Sequence, residues 1–228
     1  MRDVKIIATI GPASAKYSIL ATMKKNGMNI GRINTKYGNE KEFDKTHGLL
    51  VKLKCETMFD IKGLEYINYL KEKKFDWLAI SYAETKKQIE DIRKMFQHKI
   101  KIISKIETQR GIKNIDDLIK ISDGIMVARG DLGKNISFEK VPINQKIIIK
   151  KANKKKKFVI TATEMLLSIT NSKTAERSEI SDIANAVLDG SNALMLSEET
   201  AIGKYPSLAV GIMRKTISST LLNEKYLI

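Results

Sequence analysis

Cysteine occurs once, at Cys55, which excludes an internal disulfide and fits a reducing, cytoplasmic setting. No apolar run reaches bilayer-spanning length. The opening MRDVKIIATIGP lacks the long apolar region and small-residue cleavage site of a secretory leader, so no membrane partner is expected. Histidine is nearly as scarce, with His47 and His98 alone. Acidic residues are in deficit: 26 Asp and Glu against 41 Lys and Arg leave a net charge of +15. Such an excess can mark a nucleic-acid or membrane-surface binder. The densest run, KKANKKKKF at 150–158, has no interleaved rings to stack on bases, and lysine is abundant along the whole chain. The charge therefore reads as solvated surface, and nucleic acid is not an expected partner.

What is present suits one globular domain over 1–228: 43% hydrophobic residues, 29% charged, and length for one substantial core. Eight short apolar segments rich in β-branched residues recur: VKIIATI (4–10), MNIGRIN (28–34), LKCETMFD (53–60), FDWLAIS (75–81), IKIISKIE (100–107), DGIMVAR (123–129), KFVITAT (157–163) and NALMLS (192–197). Between them, stretches such as SAKYSILATMKKNG and TKKQIEDIRKMFQ return apolar residues every three or four positions, as amphipathic helices do. Alternating strands and helices predict a parallel sheet covered by helices, and eight units are what a closed (β/α)8 TIM barrel needs. Periodicity alone does not close the sheet; an open doubly wound sheet satisfies the same pattern.

In a barrel, chemistry gathers where strands end. Arg32 and Asn34 close the second segment, with Asp60 and Lys62 after the third and Ser81 at the fourth. Lys105 and Glu107 finish the fifth, Arg129, Gly130 and Asp131 the sixth, Thr161 and Thr163 the seventh, and Ser197, Glu199 and Thr200 follow the eighth. Glu107 and Asp131 end neighbouring strands, so their carboxylates can share a hard divalent cation of the Mg²⁺ type. The bland alternative pairs each acid with Lys105 or Arg129. Neither histidine falls near this rim, which argues against histidine-ligated zinc. Gly130 lets a ligand approach the backbone, and N–H groups at a helix start hold anions. Arg32, Lys62, Lys105 and Arg129 supply the positive charge that a phosphate or carboxylate would want. The kit suits phosphoryl transfer or enolate stabilisation.

The motifs KIIATIGPAS, GMNIGRIN, DIKG, IISKIETQRGI, DGIMVARGDLG, VITATEML, SDIANAVLDG and LMLSEETAIGKYP resemble, in order, those of pyruvate kinase over about residues 4–206. The resemblance implies a phosphoenolpyruvate/pyruvate-binding TIM barrel and Mg²⁺-dependent, glycolytic transfer of a phosphoryl group from phosphoenolpyruvate to ADP, giving pyruvate and ATP. It makes Glu107 and Asp131 the Mg²⁺ ligands. Lys105 becomes the cation at the transferring phosphoryl group and enolate, and Arg32 a phosphate contact. Gly130, Asp131 and Thr163 seat the substrate carboxylate, with Arg129 counted among the substrate-binding groups and Thr163 near the carbon to be protonated.

The departures are informative. Members of the family insert a lid domain after the third strand; here DIKGLE runs straight on, so the lid is expected to be deleted near 63–68. The chain also ends soon after the eighth unit, without the family's C-terminal regulatory domain. The monovalent-cation pocket keeps Asn34 and Asp60, but Lys36 stands where the family has serine, so a lysine ammonium is expected to replace potassium. Glu164 and Glu198 add negative charge where the family has glutamine and glycine. Loss of the lid should weaken turnover by opening the site to water. Two other readings stay open: an Mg²⁺-dependent oxo-acid aldolase or decarboxylase working through an enolate, and a catalytically reduced binding protein. Assembly into a homo-oligomer is left open as well.

Overall fold

The computed structural model describes residues 3–226. Eight strands, β1 (Lys5–Thr9), β2 (Met28–Asn34), β3 (Glu56–Ile61), β4 (Trp77–Ile80), β5 (Lys101–Ile106), β6 (Gly124–Ala128), β7 (Phe158–Ala162) and β8 (Ala193–Leu196), pair in parallel in chain order. β8 pairs back onto β1, from Lys5 opposite Ala193 to Ala8 opposite Leu196, so the sheet is a closed (β/α)8 barrel and the open alternative falls. All eight segments read from the sequence are strands. The third begins later than its apolar run, at Glu56, because Leu53 caps the preceding helix and Lys54 turns the chain at φ +53°.

The covering helices are α1 (Tyr17–Lys25), α2 (Glu40–Lys52), α3 (Ile67–Leu70), α4 (Lys86–Lys94), α5 (Gln109–Lys113), α6 (Ile115–Ile121), α7 (Arg129–Ile136), α8 (Val141–Lys154), α9 (Arg177–Leu188), α10 (Glu198–Ala201) and α11 (Pro206–Asn223). Local chemistry marks their starts. Asn39 accepts from the amides of Lys41 and Glu42, while Glu42 reaches back to the Asn39 amide, a capping box that holds the first turn of α2. Thr85 caps α4 through the Gln88 amide, and Pro142 sits in the first turn of α8. Among the described residues no helix is long and apolar enough to cross a membrane.

Side chains alternate across each strand, and this parity divides the core in two. Ile7, Ile30, Met58, Ile103, Met126 and Ile160 fill the barrel interior, all without solvent exposure. Ile6, Phe59, Leu78, Ile102, Ile125, Val159 and Leu194 point the other way and pack under the helices. The N-terminal end is plugged: the Trp77 and Phe158 rings lie 4.9 Å apart, Lys101 sits 4.4 Å over the indole, and Glu56 accepts from Trp77 Nε1 and pairs with Lys5. The polar groups at this end, Lys5, Glu56 and Lys101, are paired with one another or with the Trp77 ring, and the open cavity lies at the C-terminal mouth. The lysine run at 150–157 lies on the end of α8 and the turn before β7, at the opposite end from that mouth.

Packing at the start of β6 leaves no spare room. A Cβ added at Gly124 would stand 2.5 Å from the Phe158 carbonyl and 2.6 Å from Ile103 Cδ1, and the backbone oxygen cannot rotate away. Gly124→Ala is therefore expected to cost about 1–3 kcal/mol, read as a lower urea midpoint at unchanged slope.

Candidate active site

The mouth opens on a cavity of about 870 Å³ whose walls include Arg32, Lys105, Glu107, Gly130, Asp131 and Thr163. At its floor is a charge cluster built by strand parity. Ile30 faces inward, so Arg32 does; Met58 brings Asp60, Ala79 brings Ser81, and Ile103 brings Lys105 and Glu107. Asp60, 2% exposed, accepts from Arg32 Nε at 2.8 Å and from Lys105 Nζ at 3.1 Å. Ser81 donates to Asp60 at 3.2 Å and accepts from Lys105 at 2.8 Å. Thr9 accepts from Arg32 Nη1 at 2.8 Å and its hydroxyl donates to the Leu196 carbonyl at 2.9 Å. Burial works against the Asp60 charge, but Lys105 and Arg32 more than offset it and hold this carboxyl below the usual range.

Glu107 sits differently. It is 1% exposed, pairs with Lys105 at 3.0 Å and accepts from the Tyr82 amide at 2.6 Å. Tyr82 takes φ +52° to present that amide. Burial nevertheless outweighs Lys105 and the amide, with Asp60 adding repulsion, so the Glu107 carboxyl lies above its ordinary range. A buried carboxylate short of positive charge suits a hard cation. Asp131 lines the same cavity from the first turn of α7, its nearest charged partner being Lys134 at 3.4 Å. Among the described residues no group of three or more His, Cys, Asp or Glu stands ready for a metal. Glu107 and Asp131 are two carboxylates on one cavity, oxygen donors of the kind that hard divalent cations take.

Three expectations need correction. Arg129 does not face the cavity. It follows inward-facing Ala128, so parity turns it outward, where it pairs with Asp182 of α9 at 2.6 Å. Lys36 does not replace a monovalent cation beside Asp60. It is exposed, with its ammonium 5.4 Å over the Tyr37 ring, and the cations at Asp60 are Arg32 and Lys105. Asn34 lines the cavity but spends its side-chain oxygen on the Lys36 amide, at 3.2 Å. Thr161 also leaves the rim: it faces outward and bonds Ser191 at 2.8 Å. Glu164 and Glu198 line the cavity. Sequence reasoning passed over Thr9, which inward parity at the end of β1 would have flagged. It also passed over the Tyr82 amide and Asp182, which carry no local signal.

Asp60 links both cations to the barrel wall, and its removal leaves buried Arg32 without a carboxylate partner and Lys105 with Glu107 alone. Asp60→Asn is expected to destabilise the fold by about 3–5 kcal/mol in urea titrations. Because the folded carboxyl is depressed, its stabilisation is fully present above the unfolded value near 3.9 and is lost as pH falls below it. The variant should accordingly lose less stability than the parent between about pH 4 and pH 2.

Comparison with known proteins gives this site a lineage. The family model described as pyruvate kinase, barrel domain, matches residues 48–210. Pyruvate kinase of Methanocaldococcus jannaschii is 44% identical over 161 residues, covering 69% of this chain and 36% of that protein. That of Dictyostelium discoideum is 41% identical over 203 residues, 87% of this chain and 39% of its own length. The cytosolic isozyme of Nicotiana tabacum is 39% identical over the same length, 87% of this chain and 40% of the tobacco protein. The chain thus spans well under half the length of the curated relatives it matches. On the matched barrel domain, it belongs to the pyruvate kinase family.

Proposed function

We propose that this barrel carries out the phosphoryl transfer from phosphoenolpyruvate to ADP for which its family is named, with Mg²⁺ held by Glu107 and Asp131. The observation that carries the reading is the cation pair at the cavity floor: Arg32 and Lys105, both 7% exposed, fixed on Asp60 and Ser81. Two cations held rigid in a largely water-excluded floor are what a loose phosphoryl-transfer transition state asks of a protein.

In this reading Arg32 and Lys105 neutralise the phosphoryl oxygens, and the amides of Gly130 and Asp131 at the start of α7 receive the substrate carboxylate with the Thr163 hydroxyl. Bound Mg²⁺ would supply charge neutralisation to the phosphoryl and enolate oxygens. The phosphorus–oxygen bond of phosphoenolpyruvate breaks with its electron pair left on the enolate oxygen, which Lys105 stabilises. The phosphorus forms a new bond to a terminal oxygen of ADP. The enolate methylene carbon then takes a proton delivered on the Thr163 side, giving pyruvate.

Residues 62–76 join β3 to β4 with only a turn and α3. We read this short connection as loss of the lid, which leaves the site wetter and turnover slower. It also keeps a second reading alive, since enolate chemistry on oxo acids needs no nucleotide cover. Potassium is dispensable in our reading because Arg32 and Lys105 already satisfy Asp60. We place the reaction in the cytosol.

Pyruvate formation from phosphoenolpyruvate is expected to require both ADP and Mg²⁺. Lys105→Met should lower kcat by about 10²–10³-fold. Nucleotide-independent turnover of oxaloacetate would transfer the assignment to the second reading. Absence of both activities, with no Mg²⁺-dependent oxalate binding by calorimetry, would leave a binding protein.

A further inference from the structure

The exit of β7 carries a conformation that needs an external cause. Thr163 has φ +81° and Glu164 φ +55°, in the region that L-residues avoid. For a β-branched residue such as Thr163 this is costly, and it persists only where the surroundings over-determine it. Nothing in the local sequence TATEML requires it.

The surroundings that impose it start with Arg129. Its guanidinium grips three successive carbonyls of this turn: Nε donates to Ala162 O at 3.3 Å and Thr163 O at 3.2 Å, and Nη2 to Thr163 O at 2.6 Å and Glu164 O at 3.3 Å. Nη1 is held by Asp182 of α9, at 2.8 Å from Oδ1 and 2.6 Å from Oδ2. On the other side, buried Glu199 accepts from the amides of Met165 at 3.2 Å and Leu166 at 3.0 Å. The turn is thus held by a cation on its carbonyls and an anion on its amides. The Thr163 side chain lies over Gly130, where an added Cβ would come within 2.9 Å of its methyl. Its hydroxyl makes no hydrogen bond among the described residues, and the half-buried residue lines the cavity.

We propose that Arg129 and Asp182 form a positioning pair that holds the 162–164 turn in its strained form and so aims the Thr163 hydroxyl into the cavity. Arg129 supplies the planar fork that spans several carbonyls, which a lysine point charge cannot. Asp182 fixes the plane of that fork from outside the barrel, and neither residue touches the substrate. The structural part stands on the geometry alone; its consequence for proton delivery rests on the phosphoryl-transfer reading above.

The test uses the full chain with threonine methyls labelled for NMR, Thr163→Ser assigning the Thr163 resonance. In Arg129→Lys and Asp182→Asn, the Thr163 methyl should shift or broaden and the amides of 163–166 should exchange about tenfold faster, with the Thr9 and Thr200 methyls unmoved. A Thr163 methyl and turn amides unchanged in both variants would overturn the proposal, whatever the activity. In solvent deuterium, exchange into the pyruvate methyl group should fall about 100-fold in both variants, with Mg²⁺-dependent oxalate affinity within about threefold of the parent. Parallel losses of exchange and oxalate affinity would make Arg129 a ligand contact and overturn it as well. A parent protein with neither exchange nor oxalate binding would defeat the phosphoryl-transfer reading, while the NMR result still decides the positioning pair.

Discussion

The buried carboxylate of Asp60 organises the mouth of this barrel. It stands on β3, yet its partners come from β2 and β5, and Ser81, directly after β4, bridges it to Lys105. One anion therefore ties four neighbouring strands together at the end where the interior is no longer apolar. Two cations are kept in a low-dielectric floor without the penalty of an unpaired buried charge. The same anion sets the tone for Glu107, whose charge is opposed by burial and by Asp60 and only partly compensated by Lys105. The Asp60 charge is fully compensated where it stands, while that of Glu107 beside it is not.

Around that floor, strand parity sorts the polar residues into those that can meet a ligand and those that support the wall. Two consecutive residues go opposite ways. Gly130 lines the cavity, whereas Arg129 points through the wall to Asp182. Lys105 and Glu107, two residues apart, share a face as the pleat requires. A cation in a strand-end motif is therefore not a ligand group by virtue of its charge. Arg129, which follows inward-facing Ala128, turns instead to Asp182 and the carbonyls of 162–164.

The relation between floor and rim also bears on what this barrel retains without a long connection after β3. The charge cluster is made wholly by side chains on strands and their first turns, so it needs no covering domain to form. What a cover would supply is exclusion of water above the cavity, where Glu164 and Glu198 place two further acids. Formation of the charged floor and exclusion of water above it are thus separable properties of the fold.

Much of this was legible in the chain itself. Eight β-branched segments separated by amphipathic stretches specified the strands and their order, because period-2 and period-3.6 patterns follow from local backbone geometry. Placing Glu107 and Asp131 after adjacent strands brought them to one cavity, since neighbouring parallel strands end at the same rim. Closure of the sheet, by contrast, is a pairing of β1 with β8 across most of the sequence, which no local pattern encodes. Lys36 seemed a natural partner for Asp60 on charge and motif alone, and only packed coordinates showed Arg32 and Lys105 already there. Charge and spacing belong to the sequence; which opposite charges meet is a long-range contest for buried space, settled only when the barrel closes.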